Sequence, residues 1–591
     1  MGAYSAAVAG FWFRGRWATI RYRWIVVVVV VVVAVWVTLC ALSLLRATSQ
    51  LRSGVAAITR VRDEVSPQDL ADDRASGDLR TAVDHFASAR RSLGAPWIAP
   101  LEVVPYVGRQ LRSARALAAA ADTVGQAGSR TVTEAHVLLD APHGTPAQRA
   151  GLIRQLSGTI TDLSRRTSHI DLGPPDALLR PLATKRATFA QELTRLRTAL
   201  DRGGAATAAL SDLLTGPRTY LILAGNNAEM RDGSGMFLEA GTMTANQGTL
   251  TFGSFMPTGG LYNPEPTVPL SGDLQRLWGS LQPNQEWRNL ALSPQFPANA
   301  GLAAQMWQTQ MGQRVDGVLA VDIDGLKAIL AATGPVTGGG RTVDADNVEQ
   351  TLLKEQYVGL SSDAAANDPR HEALGELAGA VLGAVQQPGV PFAPLATSVA
   401  RAAGGRHFLA WAADPTIEAD WTAASVSGEV PRDGLLLGSN NRGANKLDPY
   451  QHVTARLDTV PAGADTRVRV AVTIANQTPS GLSSYAAAGS DPSRQPGTYV
   501  GIVALDFPKA SGAARVDRPG VVASGSDYAS DVIAVPVTLN PGQSTTVTWT
   551  FLLAGHHGRL SVRPSARIPA TTWRVKGQRS FTDADAHTVS F

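Results

Sequence analysis

The chain has 591 residues, 17% of them charged, with 53 Lys+Arg against 49 Asp+Glu and one cysteine. Single cores rarely grow past about 250–300 residues, so this length points to several domains. Eight arginines and no acid fall in residues 1–62, which leaves the remainder at −4; that split gives no basic groove for nucleic acid, and the lone Cys40 excludes internal disulfides and cysteine zinc sites.

From Trp24 to Leu45 the chain runs 22 residues without a charge. At about 1.5 Å per residue this is roughly 33 Å of helix, enough to cross a bilayer core of about 30 Å. Secretory signals have a shorter apolar stretch of about 7–15 residues, so residues 24–45 are expected to remain as a transmembrane helix in the lipid bilayer. Arg14, Arg16, Arg21 and Arg23 precede the span. The positive-inside rule therefore places the basic tail, residues 1–23, in the cytoplasm. Residues 46–591 are then expected to be extracytoplasmic, in a single-pass protein of the plasma membrane.

Residues 46–215 carry helical periodicity and are expected to form a stalk or bundle. Ser66-Pro67 has the chemistry of a helix start, and Gly94 closes a stripe of Leu79, Val83, Phe86 and Leu93. Thr145-Pro146 opens another helix, with Leu152, Ile153, Leu156 and Ile160 on one side. The last stripe, Leu182, Phe189, Leu193, Leu196 and Leu200, is expected to stop at Gly203-Gly204.

At Gly216-Pro217 the period changes. Tyr220–Ala224 suits a buried strand, and Phe237–Thr244 with Gly248–Phe255 suits a hairpin. Residues 257–300 are rich in Pro, Asn and Gly and are expected to be a long, functional loop region. A strand at Val315–Val321 and helices at 302–311, 324–332, 346–359, 372–385 and 395–403 complete an α/β core over 216–450 with helices on a mixed sheet. Beyond residue 450, alternation such as Val468, Val470, Val472 and Ile474 predicts a C-terminal β-sandwich over 451–591. The fold class is thus multi-domain α+β.

The segment Tyr220–Phe237, YLILAGNNAEMRDGSGMF, resembles the signature of the bacterial family known as domain of unknown function 4012. Arg314–Val336 resembles its second strand and following helix, and Asn440–Tyr450 its closing Asn-Asn…Lys-x-Asp-x-Tyr element. The lead-in Pro105–Leu111 is similar to that of actinobacterial members. A looser similarity joins Leu223–Arg231 and Asp316–Val336 to the LytR-CpsA-Psr envelope transferases, which move glycopolymers from polyprenyl-pyrophosphate carriers with Arg, Asp and a divalent metal. Where those enzymes place Pro-Arg-Asp, this chain has Phe255-Met256-Pro257-Thr258-Gly259-Gly260.

Asn226, Asn227, Glu229 and Arg231 follow the first strand. Ligands of open α/β sheets bind beyond the carboxyl ends of strands, and an Arg fork suits a phosphate; bonding of turn backbone and pairing of Glu229 with Arg231 would use the same residues. Asn440, Asn441, Lys446 and Asp448 either complete this pocket or fix the junction to the sandwich. Asp316, Asp322 and Asp324 offer oxygen ligands to a divalent metal such as Mg, while strand-end and helix capping explain Asp322 and Asp324 equally well. No G-x-S-x-G, phosphate-loop Gly-Lys or H-E-x-x-H occurs, and His556-His557 suits a loop, so no catalytic residue is assigned. The expected function is binding, with transfer as an extension, of an envelope glycopolymer or lipid-linked precursor. The other class is a non-catalytic scaffold with envelope protein partners.

Overall fold

The uncharged run of valines lies within one 56-residue helix, α1 (Ala9–Glu64), whose backbone bonds are satisfied internally. The computed structural model describes residues 9–591 except 65–72, 141–144, 362–369 and positions 267, 388, 490, 492, 511 and 557. The Ser66-Pro67 start, residues 1–8 of the basic tail and His557 therefore lie outside the described residues. Within α1, Val29–Ala57 is long and apolar enough to cross a membrane, and Val29–Val33 present their side chains outward. Two units divide the chain: Met1–Ala141 with Gly158–Asp201, and Pro142–Ser157 with Arg202–Phe591.

The smaller unit is helical. α2 (Asp73–Leu93) ends where predicted, the Gly94 N–H donating to Arg90 O at 2.9 Å. α3 (Val107–Asp140) follows, and Ala57, Ala82, Phe86 and Ala121 from the three helices form one buried cluster. Gly54 permits that approach, since a Cβ there would lie 2.6 Å from the Phe86 ring. α4 (Pro146–Ser168), whose residues up to Ser157 belong to the larger unit, starts on a capping box: Thr145 Oγ1 accepts from Gln148 N, and Gln148 Oε1 accepts from Thr145 N. The expected stop at Gly203-Gly204 does not occur, because α5 (Arg180–Thr215) runs on. Glycine inside a helix costs only about 1 kcal/mol each, and Ala209 and Leu213 beyond the pair pack into the larger unit's core.

The sheet of the larger unit begins just after a forced glycine. Gly216 has φ +50°, and a Cβ there would meet Ala245 O at 1.8 Å. β1 (Arg218–Arg231), β2 (Ser234–Asn246), β3 (Thr249–Phe252), β4 (Met256–Pro257) and β5 (Gly317–Val321) precede a small hairpin of β6 (Val336–Gly338) and β7 (Arg341–Val343). With β8 (Phe408–Ala412) they give a mixed sheet of order β3-β2-β1-β5-β8, β4 lying on β2. β1 is antiparallel to β2 and parallel to β5, with Tyr220 opposite Gly317. The helices are α6 (Gly272–Trp278), α7 (Phe296–Met311), α8 (Ile323–Thr333), α9 (Val348–Leu353), α10 (Arg370–Ala384), α11 (Phe392–Gly404) and α12 (Pro415–Ala423).

Alternation along β1 sorts the core into two layers. Leu221 and Leu223 face Trp278, Phe296 and Met306, while Tyr220 and Ile222 face Ile329, Val381 and Trp421. Residues 257–300 are consequently not one long open loop. They fold as short helical turns and α6, and their Trp278 and Trp287 are fully buried in the first layer.

The C-terminal residues form two six-stranded sheets. One centres on the antiparallel pairs Asp465–Asn476 with Gln451–Ala462 and with Ser544–Ala554. The other centres on Tyr499–Pro508, flanked by Ser530–Leu539 and Gly434–Asn441. Val470, Val472, Trp549, Val503, Val535 and Trp573 from both sheets share one core. The opposite face of the second sheet, through Ile502, Ala504, Val532 and Ala534, joins the layer that holds Trp278. Gly434–Asn441 thus already belongs to the β region, and that region is continuous with the α/β part across a common apolar layer.

Candidate functional site

The end of β1 departs from ideal pairing. Register shifts fall between Ala224 and Gly225 and between Asn226 and Met230. Such irregularities re-aim side chains, and here they turn four polar residues inward. Asn227 Nδ2 donates to Asp322 Oδ2 and Ala566 O, both at 2.8 Å, and Asn227 Oδ1 accepts from Ile323 N. Asn226 Nδ2 donates to the Tyr357 hydroxyl at 2.6 Å.

Glu229 and Lys446 form a buried ion pair at 2.6 Å, their side chains 4% and 8% exposed. Lys446 lies over the Tyr485 ring at 5.2 Å and the Tyr357 ring at 5.9 Å. Those rings stack on each other at 6.0 Å, and Arg370 sits 4.4 Å from the Tyr485 centroid and 5.3 Å from that of Tyr357. Arg370 Nη2 also donates to the Tyr485 hydroxyl. Burial pushes the Tyr357 phenol well up, so its hydroxyl stays neutral while accepting from Asn226 Nδ2. Two cations thus share one aromatic pair, with Lys446 and Tyr357 buried and Arg370 at the edge.

Arg231 faces the other way. It is buried, donates from Nε to Arg288 O, and from Nη1 to Met230 O and Asn441 O at 2.9 and 2.7 Å. Burial lowers its pKa to about 10. The expected role as an anion contact is therefore corrected to that of a bracket: its bonded N–H groups are committed to backbone carbonyls. Asn440 Oδ1 accepts from Asp232 N, and Asn441 Nδ2 donates to Asp448 Oδ2 at 2.8 Å. Asp448 also accepts from Met230 N and the Tyr499 hydroxyl, and pairs with Arg567 at 3.5 Å. The two motifs, 226–231 and 440–448, do meet, but through one another. Arg231→Ala is expected to lower the stability of the larger unit by about 2–3 kcal/mol, as loss of charge-assisted hydrogen bonds requires. Urea unfolding of the full chain in detergent checks this; an unchanged midpoint would contradict the bracket.

Asp322 caps α8, accepting from Asp324 N and Gly325 N, and pairs with His407 Nδ1 at 2.8 Å. His407 Nε2 lies 3.4 Å from Asp324. Burial opposes a charge on His407, yet the carboxylates of Asp322, Asp324 and Glu349 prevail and push its pKa up to about 9. Asp316 is elsewhere. It is exposed at the start of β5 and accepts from Thr219 N, six residues and roughly 20 Å of strand from Asp322. Asp316, Asp322 and Asp324 therefore cannot share one metal ion, and among the described residues no set of three His, Cys, Asp or Glu forms such a site.

Tyr357, Tyr485, Arg370, His407 and Arg567 were not predicted. Each comes from a segment without local signal, and only contacts across more than 80 residues give it a role.

A cavity of about 410 Å³ opens elsewhere in the larger unit. Its walls include Ile222, Met243, Leu319, Val321, Leu382 and Val399, and among the described residues the one ionisable side chain lining it is Arg149. That volume lies in the range of about 300–1,000 Å³ typical of ligand sites.

Residues 215–357 match the family described as "Protein of unknown function (DUF4012)". This stretch covers β1 to β7 and the Asn226–Arg231 segment. No curated protein and no solved structure is matched by the chain.

Proposed function

We propose that this is a single-pass envelope protein, anchored by residues 24–45 with a cytoplasmic N terminus, whose larger unit binds a polyprenyl-pyrophosphate-linked glycopolymer precursor. Residues 46–215 act as a helical stalk in this reading, and 451–591 as a β-sandwich. The observation that carries the reading is the apolar cavity of about 410 Å³. A largely apolar lining of this kind favours a hydrocarbon ligand, which gains by leaving water. Tyr357 and Tyr485 pack on the same hydrophobic cluster that supplies many of its walls, and Arg370, on the half-buried Tyr485 ring, is the cation we assign to the charged part. The resemblance to the envelope transferases supplies the ligand class. The inward bonding of Asn227, Arg231 and Asp448 favours binding over transfer.

Fluorescence titration of the detergent-solubilised full chain with farnesyl pyrophosphate tests this. Ala396→Phe combined with Val399→Trp fills the cavity and is expected to weaken binding about tenfold or more. Arg370→Gln is expected to weaken pyrophosphate-bearing ligands while leaving farnesol binding intact. Equal affinity in the filled variant would sink the assignment. A scaffold would bind neither ligand.

A further inference from the structure

The connection between α2 and α3 is apolar for an exposed turn. Residues 95–107 read Ala-Pro-Trp-Ile-Ala-Pro-Leu-Glu-Val-Val-Pro-Tyr-Val, with a single charge. Pro96–Val103 fold as a 3₁₀ turn. Gly108 N closes back on Val104 O at 2.8 Å, and a Cβ on Gly108 would collide with Glu102 O. Ile98 is buried beside Cys40, Leu93 and Leu111. Leu101 packs on the edge of that cluster, while Val103 is 86% and Tyr106 76% exposed and Trp97, Val104 and Val107 each keep more than 40% of their surface open. Contiguous apolar surface of this kind marks a contact with protein or membrane.

What it contacts follows from the helix it is fastened to. Trp97 O accepts from Trp36 Nε1 at 2.7 Å and from Cys40 Sγ at 3.4 Å, and Trp97 Nε1 donates to Ser43 Oγ at 3.0 Å. Trp36, Cys40 and Ser43 sit roughly 15, 9 and 4 Å before Arg46, the first charge after the apolar run, at about 1.5 Å per residue. Trp97 is therefore held at the depth of the outer part of the span. Its polar atoms are bonded to the helix, as hydrocarbon surroundings demand. The one charge, Glu102, is paired with Arg115. Arg109 and Arg112 follow with exposed side chains, placed to reach lipid phosphates on leaving the apolar stretch.

We infer that residues 95–107 are a second membrane element, lying in the outer leaflet against the transmembrane helix, with Val103, Val104 and Tyr106 among the acyl chains and Arg109 and Arg112 at the phosphates. This rests on the reading of residues 24–45 as a span, and it fastens the smaller unit to the lipid surface at two points.

The test uses the full chain in vesicles of phosphatidylcholine and phosphatidylglycerol. With Cys40→Ser as background, single cysteines at Val103, Tyr106, Val33 and Thr188 carry a nitroxide label. Collision with dissolved oxygen is compared with collision with a water-soluble nickel chelate. Positions 103 and 106 are expected to match 33, with an oxygen-to-nickel ratio severalfold above that at 188. Lipid character at 33 combined with aqueous character at 103 and 106 overturns this inference and leaves the anchor standing. Aqueous character at 33 as well overturns both.

Discussion

Lys446→Met is expected to destabilise the larger unit by about 3–5 kcal/mol, because it strands the Glu229 carboxylate in a buried site. The pair is enclosed by Tyr357 and Tyr485, and Lys446 also loses its ring contacts. The cost is that of an uncompensated charge, so it should be largely reversed by removing the other charge. Glu229→Gln together with Lys446→Met is expected to recover most of the loss, which a double-mutant cycle in urea unfolding measures. A single-mutant loss below about 1 kcal/mol would show that water reaches the pair, as for surface ion pairs. Without the rescue, Lys446 would be acting through packing alone.

The second large effect is a fall in stability as pH rises. His407 has a folded pKa of about 9, above its ordinary value of about 6.5, since its neighbouring carboxylates outweigh burial. The folded state thus holds this proton more tightly than the unfolded chain. Its contribution is present in full below pH 6.5 and is lost as pH rises through about 9; linkage bounds it at about 3 kcal/mol. Asp232 acts in the same direction lower on the scale. Burial raises its pKa well above 3.8, so its contribution is present below that value and fades as pH climbs toward the raised one. Thermal scans from pH 4 to 9 are expected to show a falling melting temperature for the larger unit. Asp322→Asn keeps a helix cap but removes one carboxylate beside His407, and should flatten the alkaline limb. Asp232→Asn should raise the melting temperature at neutral pH. The carboxyl has little room to adjust, for a Cβ at Gly438 would already lie 2.3 Å from it. A melting temperature that climbs steadily with pH would contradict both assignments.

These effects arise from residues that were only partly legible as a site. The run Tyr220–Ala224, the turn residues after it and the Asn440–Tyr450 segment stand out in the sequence because strand period and turn chemistry are local. The structure does bring those segments together, Met230 N to Asp448 and Arg231 to Asn441 O. Their polar character was legible, their orientation was not. Whether Arg231 meets solvent or a carbonyl is settled by Arg288 and Asn441, 57 and 210 residues away. The same holds for residues 257–300, where loop-like composition conceals two buried tryptophans that anchor one face of the sheet. Gly203-Gly204 misleads for a related reason: local propensity favours a break, and tertiary packing of Ala209 and Leu213 overrides it.

The sequence by itself determined the long apolar helix, the predominantly helical character of the described residues within 46–215, the strand beginning the larger core and the alternating strands of the C-terminal part. Each is a short-range property, written in charge, periodicity and turn residues within a few positions of one another. Only the tertiary structure decided that the α/β and β regions share one apolar layer and that the three aspartates cannot meet at one ion. It alone decided that Lys446 and Arg370 flank an aromatic pair and that Trp97 is pinned to the stretch Trp36–Ser43 of the apolar helix. Those are contacts between distant segments, and their free energy depends on burial and partner geometry, which no local pattern encodes.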